Sequence, residues 1–265
     1  MKKIKLAIFD IDNTLLPAGH LDFSPKTKQA LDSLRQNGIQ ILVATGRHFK
    51  FLQECVKDNL KDYIVTINGA CLNDAQGNVI CYDTMDIDTL NQIVRLCEQN
   101  EIGLGLKFKD NIVSYVNHNK FVKEYVSDEK HRQMIIDDTV NKNYHEKHGL
   151  PCGMFLIGDD AVIQSFEHQV DGVIFAYSYK GGCDAFLRNV NKSTGIEKYL
   201  KLKNISWDEC IAFGDAENDI PMIQSALIGV TFSNVRESVK KSSDYITIPC
   251  EEDGIYKALK YFALI

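Results

Sequence analysis

The sequence predicts an α/β protein built on a doubly wound parallel sheet, with an α+β unit inserted into it. Three observations predict this. Apolar runs at 4–9, 39–44, 63–67 and 209–213 have the length and composition of fully buried strands. Helical patterns alternate with them, and strand–helix–strand order is the signature of parallel strands joined by right-handed crossovers. From about residue 82 to 188 the alternation gives way to hairpins mixed with helices, and then resumes. The expected domains are a core of 1–81 and 189–265 and an inserted unit of 82–188.

In chain order, the first strand spans 4–9 and Pro17 to Phe23 is a loop. Ser24-Pro25 opens a helix as N-cap and first position, and Asn37-Gly38 stops it. A strand at 39–44 ends in Thr45-Gly46-Arg47, a helix is expected at 48–59, and a strand at 63–67 ends in Asn68-Gly69. The inserted unit opens with helical periodicity at 87–100 and a hairpin of 103–108 with 112–116. Residues 118–150 are polar, with a weak helical signal at 119–133. A strand near 152–157, a helix near 159–169 and strands near 172–178 and 183–187 complete it. The core resumes with a helix at 192–202 and a strand at 209–213 that ends in Gly214-Asp215. Pro221 then lies in a helix's first turn, and strands at 227–232 and 245–248 precede a closing helix at 253–264.

With 265 residues, 45% of them apolar, the chain has ample material for a core. A net charge of −6 argues against nucleic acid or an anionic membrane as partner of the whole surface. The eight cysteines include no C-x-x-C pair and read as free thiols of a reducing compartment. No signal sequence or membrane-spanning run is visible, so a cytoplasmic protein is expected. Oligomeric state, monomer or dimer, stays open.

The first strand ends in Asp10-Ile11-Asp12, and the side-chain period of two lets both acids leave on one side. Close acids raise each other's proton affinity unless a cation sits between them. In a doubly wound sheet, ligands bind outside the carboxyl ends of the strands where the winding reverses. If strands 4–9 and 209–213 are neighbours there, Asp10, Asp12 and Asp215 converge, with Asp219 behind. Thr45 and Asn68 would then line the same crevice. Such acids supply hard oxygen ligands for Mg2+, and Thr45, Asn68 and Lys192 supply donors. Donors beside a divalent metal suit a phosphoryl group. A carboxylate is a competent nucleophile toward phosphorus, and a second can act as acid and then base. A calcium loop fails as an alternative, since Thr14 and Leu15 stand where it needs an oxygen ligand and a glycine. P-loop, G-x-G-x-x-G and G-x-S-x-G motifs are absent.

These residues also carry a resemblance. Asp10-Ile11-Asp12-Asn13-Thr14-Leu15-Leu16 resembles the D-x-D-G-T-L-L motif of the haloacid dehalogenase (HAD) superfamily. Thr45-Gly46-Arg47 is similar to its second motif, Lys192 to the third-motif lysine, and Gly214-Asp215-Ala216-Glu217-Asn218-Asp219 to the fourth. Asn68-Gly69-Ala70 and the inserted unit resemble the Cof-type phosphatases with a class IIB cap. Asn13 departs from the usual glycine but tolerates unusual backbone angles.

The resemblance implies a Rossmann-like core and a Mg2+-dependent phosphatase acting on a small phosphorylated metabolite through an aspartyl-phosphate. It implies Asp10 as nucleophile and Asp12 as general acid/base. It gives Asp10, Asp12 (through its backbone carbonyl) and Asp215 as metal ligands, with Asp219 a ligand through water or an orienter. Thr45, Gly46, Lys192 and Asn218 would meet the phosphate. Arg47, Asn68, Asp184 and Arg188 are candidate substrate contacts. A phosphomutase of the same superfamily, or a phospho-acceptor signalling module, are the alternatives.

Overall fold

The computed structural model describes residues 3–59 and 62–265. It divides into two compact units: residues 1–47, 52–78 and 191–265 form the first, and 48–51 and 79–190 the second.

The first unit begins with β1 (Leu6–Phe9), α1 (Pro25–Gln36), β2 (Gln40–Ala44), α2 (Glu54–Asn59), β3 (Tyr63–Thr66) and β4 (Cys71–Asp74). Ser24 caps α1 by accepting from the Thr27 N–H, with Pro25 at the first helical position, as expected. The second unit contains β5 (Val79–Tyr82), α3 (Ile87–Gln99), β6 (Gly103–Lys107), β7 (Ile112–Val116), α4 (His118–Tyr125), α5 (Glu129–Gln133) and β8 (Ile136–Asp137). It continues with α6 (Tyr144–His148), β9 (Gly153–Ile157), α7 (Asp160–Phe166), β10 (Val173–Tyr179) and β11 (Gly182–Leu187). The chain returns to the first unit with α8 (Lys192–Lys203), β12 (Cys210–Phe213), α9 (Ile220–Ser225), β13 (Ile228–Phe232), α10 (Glu237–Lys240), β14 (Tyr245–Thr247) and α11 (Gly254–Tyr261).

Among the described residues of the first unit the strand order is β14-β13-β12-β1-β2-β3-β4. β1 pairs in parallel with β2 and with β12, Phe9 standing opposite Val43 and Phe213. All four β1 side chains are fully buried, as a strand covered on both faces requires. The winding leaves β1 through β2 and β3 on one side and through β12, β13 and β14 on the other. The reversal therefore falls between β1 and β12, where Asp10 and Gly214 follow the paired Phe9 and Phe213. β4 lies antiparallel to β3.

The second unit is a sheet in the order β10-β11-β9-β6-β7-β8, antiparallel except for β7 with β8. Alternation along β6 and β9 sends Leu104, Leu106, Met154 and Leu156 to a core with Leu90 and Ile93 of α3 and Ile163 and Phe166 of α7. Phe155 and Ile157 face the other way, against Phe121 of α4, Ile135 and Phe51. No helix among the described residues is long and apolar enough to cross a membrane.

Several sequence expectations need correcting. The helix expected at 48–59 is a 3₁₀ turn at Phe49–Phe51, a break at 52–53, and then α2. The cause is tertiary: His48 hydrogen-bonds the Phe108 carbonyl and Phe51 joins the second unit's core, so a continuous helix cannot form. The weak signal at 119–133 resolves into two short helices, α4 and α5. β4, β5, β8, α6 and α10 were not expected. The unit boundaries fall at 78/79 and 190/191, where the sequence reading put 81/82 and 188/189, and 48–51 crosses over as well.

Candidate active site

Asp10 extends the β1–β12 ladder by one bond, its N–H donating to the Phe213 carbonyl at 3.0 Å. That bond fixes the carboxylate at the carboxyl edge, where it is 6% exposed. Lys192 reaches it from the first position of α8, whose N-cap Asn191 accepts from the Thr194 N–H. A cation is disfavoured at a helix N-terminus, so Lys192 needs anions nearby. It has two: Nζ donates to Asp10 Oδ1 and to Asp219 Oδ1, each at 2.6 Å. Asp219 Oδ2 accepts the N–H groups of Asp215 and Ala216, both at 3.0 Å. Both oxygens of the buried Asp219 are thus committed to holding the loop and the lysine. Asp215 is half-buried and accepts from Thr14 Oγ1 at 3.2 Å.

Asp10, Asp215 and Asp219 each offer an oxygen within 4.8 Å of the others'. Three carboxylates face one ammonium, so negative charge is in surplus. Burial pushes Asp10 well above the usual carboxylate range; Lys192 opposes this, and Asp219, Asp215 and Asp12 add to it. Burial and then Asp219 push Asp215 up to about 7, against the pull of Lys192, Thr14 and Asn13. Burial alone would depress Lys192, but Asp10 and Asp219 outweigh it and hold the ammonium charged. An upward shift on acid and base alike means the surplus charge retains a proton among the acids while Lys192 keeps its own. A divalent cation would remove that need. Hard oxygens with excess negative charge, shut away on a buried sheet edge, fit such an ion.

Asp12 lies two residues on and is exposed. Its carboxylate is gripped by Arg47, Nε to Oδ2 at 2.9 Å and NH2 to Oδ1 at 2.8 Å. Thr45 is buried at the end of β2; its Oγ1 accepts from the Arg47 N–H at 3.1 Å and its carbonyl from the Asn68 N–H at 3.0 Å. Asn218 Nδ2 donates to Asn68 Oδ1 at 2.9 Å. Asp10, Asp215, Asp219 and Lys192 therefore form one cluster, Asp12 pairs with Arg47, and Gly46, Asn68 and Asn218 adjoin.

Asp184 and Arg188 belong to the second unit. Asp184 on β11 accepts from Lys107 on β6 in a largely buried pair beside the Phe155 ring. Arg188 is exposed in the turn after β11. The sequence reading gave no role to Thr14, Asn13, Asn191 or Lys107. Thr14 and Asn13 stood inside the quoted motif; Asn13 takes a left-handed backbone (φ 54°) and hydrogen-bonds Asp215. No sequence signal marks Lys107, whose partner is 77 residues away.

The model of the haloacid dehalogenase-like hydrolases matches residues 7–259. The chain belongs to that family. Over 97% of its length this HAD-family chain is 25% identical to an HMP-PP phosphatase of Yersinia pseudotuberculosis, covering 95% of it. It is 23% identical to 5-amino-6-(5-phospho-D-ribitylamino)uracil phosphatase YcsE of Bacillus subtilis, over 98% of this chain and 96% of that one. Its fold matches the HAD subclass IIB sugar phosphatase BT4131 with a TM-score of 0.84 at 26% identity, over 98% of this chain and 100% of that one. The enzyme class expected from the sequence, a HAD-type phosphatase, stands.

Proposed function

We propose that this chain is a Mg2+-dependent phosphatase that hydrolyses a small phosphorylated metabolite through an aspartyl-phosphate on Asp10. One observation carries the reading: Lys192 Nζ bridges Asp10 and Asp219 at 2.6 Å each, with Asp215 beside them, at the reversal between β1 and β12. Mg2+ held by Asp10, Asp215 and the Asp12 carbonyl would supply positive charge to phosphoryl oxygens. Asp219 acts as the orienter, since Lys192 and two backbone N–H groups occupy its oxygens.

Asp10 attacks phosphorus; an Asp10–phosphorus bond forms and the bond to the leaving oxygen breaks. Asp12 gives that oxygen a proton, then takes one from the water that cleaves the acyl-phosphate. Lys192 keeps the nucleophile's charge balanced and, with Thr45, Gly46 and Asn218, receives the phosphoryl oxygens. Asp184, together with Lys107, and Arg188 are our candidates for choosing the organic portion. The HMP-PP, phospho-ribitylamino-uracil and sugar phosphate substrates in the relatives' names set the size class we expect. Eight cysteines with no disulfide among them suit a cytoplasmic location.

The test is a panel of phosphomonoesters with Mg2+. Asp10→Asn should reduce turnover to background, and EDTA should do the same reversibly to the unmodified enzyme. Full turnover by the Asn variant would sink the nucleophile assignment.

A further inference from the structure

We propose that Asn68 is a positioning residue that sets the orientation of Asn218, so that Asn218 presents an N–H, not its carbonyl, to a phosphoryl group. The inference rests on the phosphatase reading and adds a role that the crevice-lining reading of Asn68 did not contain.

Asn68 is 4% exposed and sits in the left-handed region, with φ 52° and ψ 32°. Ile67 before it is also left-handed, at φ 52°, and a β-branched residue there is strained. Such strain persists only where the surroundings over-determine it. Here the Asn68 N–H donates to the Thr45 carbonyl and the Ile67 N–H to the Arg47 carbonyl, both at 3.0 Å. The loop after β3 is thereby laced to the loop after β2, and the Asn68 carboxamide is delivered to one place.

That place is against Gly46 and Asn218. A Cβ on Gly46 would stand 2.9 Å from Asn68 Oδ1 and 3.2 Å from its Nδ2, so the absence of a side chain at 46 admits the carboxamide. Asn68 Oδ1 then accepts from Asn218 Nδ2 at 2.9 Å. Asn218 is half-buried in the 3₁₀ turn Glu217–Asp219, three residues after Asp215. The terminal torsion of an asparagine is broad and two-fold, so an unheld carboxamide shows either its oxygen or its nitrogen. An acceptor fixed on one side selects the NH2 group for that side. It also keeps the second N–H on the same edge of the amide. A phosphoryl group is rich in acceptors, so a flipped Asn218 would offer oxygen to oxygen. The Asn68 side-chain oxygen is thus engaged by Asn218.

The variants are Asn68→Gly, which keeps the left-handed backbone while deleting the acceptor, Asn68→Asp, which keeps both, Asn218→Ala, and the double Asn68→Gly/Asn218→Ala. Two readouts are taken with Mg2+ present: kcat and KM for a phosphomonoester the enzyme turns over, and binding of inorganic phosphate by calorimetry. Loss of one hydrogen bond to a charged group is expected to weaken phosphate binding about tenfold in Asn68→Gly. Asn68→Asp should bind phosphate more tightly than Asn68→Gly. The double variant should be no worse than Asn218→Ala alone, because Asn68 acts only through Asn218. Multiplying losses in the double variant, or wild-type behaviour of Asn68→Gly in both readouts, would overturn the inference. If the wild-type enzyme neither turns over phosphomonoesters nor binds phosphate, it is the phosphatase reading that fails.

Discussion

Arg47 holds Asp12 with both arms of a planar guanidinium, a geometry that fixes a carboxylate's rotamer as well as its charge. If Asp12 is the proton donor, Arg47→Ala should cost activity in proportion to how much the leaving oxygen needs a proton. We expect roughly a hundredfold loss of kcat on an alkyl phosphate, within the range that general acids contribute. p-Nitrophenyl phosphate, whose leaving group departs unprotonated, should lose little. Equal losses on both would instead mark Arg47 as a substrate contact. Asp10 and Asp215 were legible in the sequence because charged residues at the ends of apolar strands have few structural reasons to be there, whereas Lys192, at the start of a helix, was legible only through its resemblance to a motif. The partner of Arg47 was not, because a side chain's choice between a neighbouring acid and a ligand is made by tertiary distance. The same cluster predicts a pH effect. Asp10 and Asp215 are raised in the folded state, so without metal the folded protein binds more protons than the unfolded chain. Stability from these groups is therefore lost as pH rises from about 4 toward about 7. The melting temperature of the metal-free protein should fall from about pH 5 to about pH 8, and Mg2+ should restore it mainly at the upper end. A metal-free curve that climbs over this interval would contradict the assignment.

At the scale of elements, the N-terminus of α8 is set by contact between two glycines. A Cβ on Gly195 would lie 2.6 Å from Gly69 Cα and O and from Val65 Cγ1. Helix propensity alone favours Gly195→Ala by about 1 kcal/mol. Overpacking at a backbone contact should reverse the sign and destabilise by about 1–3 kcal/mol. A urea midpoint measures it, and a stabilised variant would refute the contact. The ends of β1, β2 and α1 were read from sequence to within about two residues, because buried runs and an Ser-Pro cap are local signals. The break between Phe51 and Glu54 was not, because its cause is a ring packing against Tyr125 and His131, far along the chain. Nor was β4, whose four residues follow the left-handed turn at Ile67 and Asn68 too closely for periodicity to register.

At the scale of the whole molecule, residues 48–51 belong to the second unit although they are encoded between β2 and α2. Phe51→Ala should therefore loosen the second unit, by about 3 kcal/mol for a buried ring. Hydrogen exchange resolved by segment should show the loss at 112–116 and 153–157, not in β2 or α2. Protection lost only near residue 51 would contradict the division. The parallel core and the inserted unit were both visible in the sequence, since the change from alternating strand and helix to hairpins is a change of period. The crossing at 48–51 was invisible because four residues carry no periodicity of their own. Its consequence reaches to recombination between relatives. An exchange of the inserted unit cut at 79 and 190 carries 112 contiguous residues and leaves Phe51 behind, so the transplanted sheet meets a foreign side chain in its own interior. A chimera that keeps its donor's tetrapeptide beside the second motif should express and melt like the parent, and one that swaps only the long segment should not. The heritable module is written in two pieces, the smaller beginning one peptide bond from Arg47.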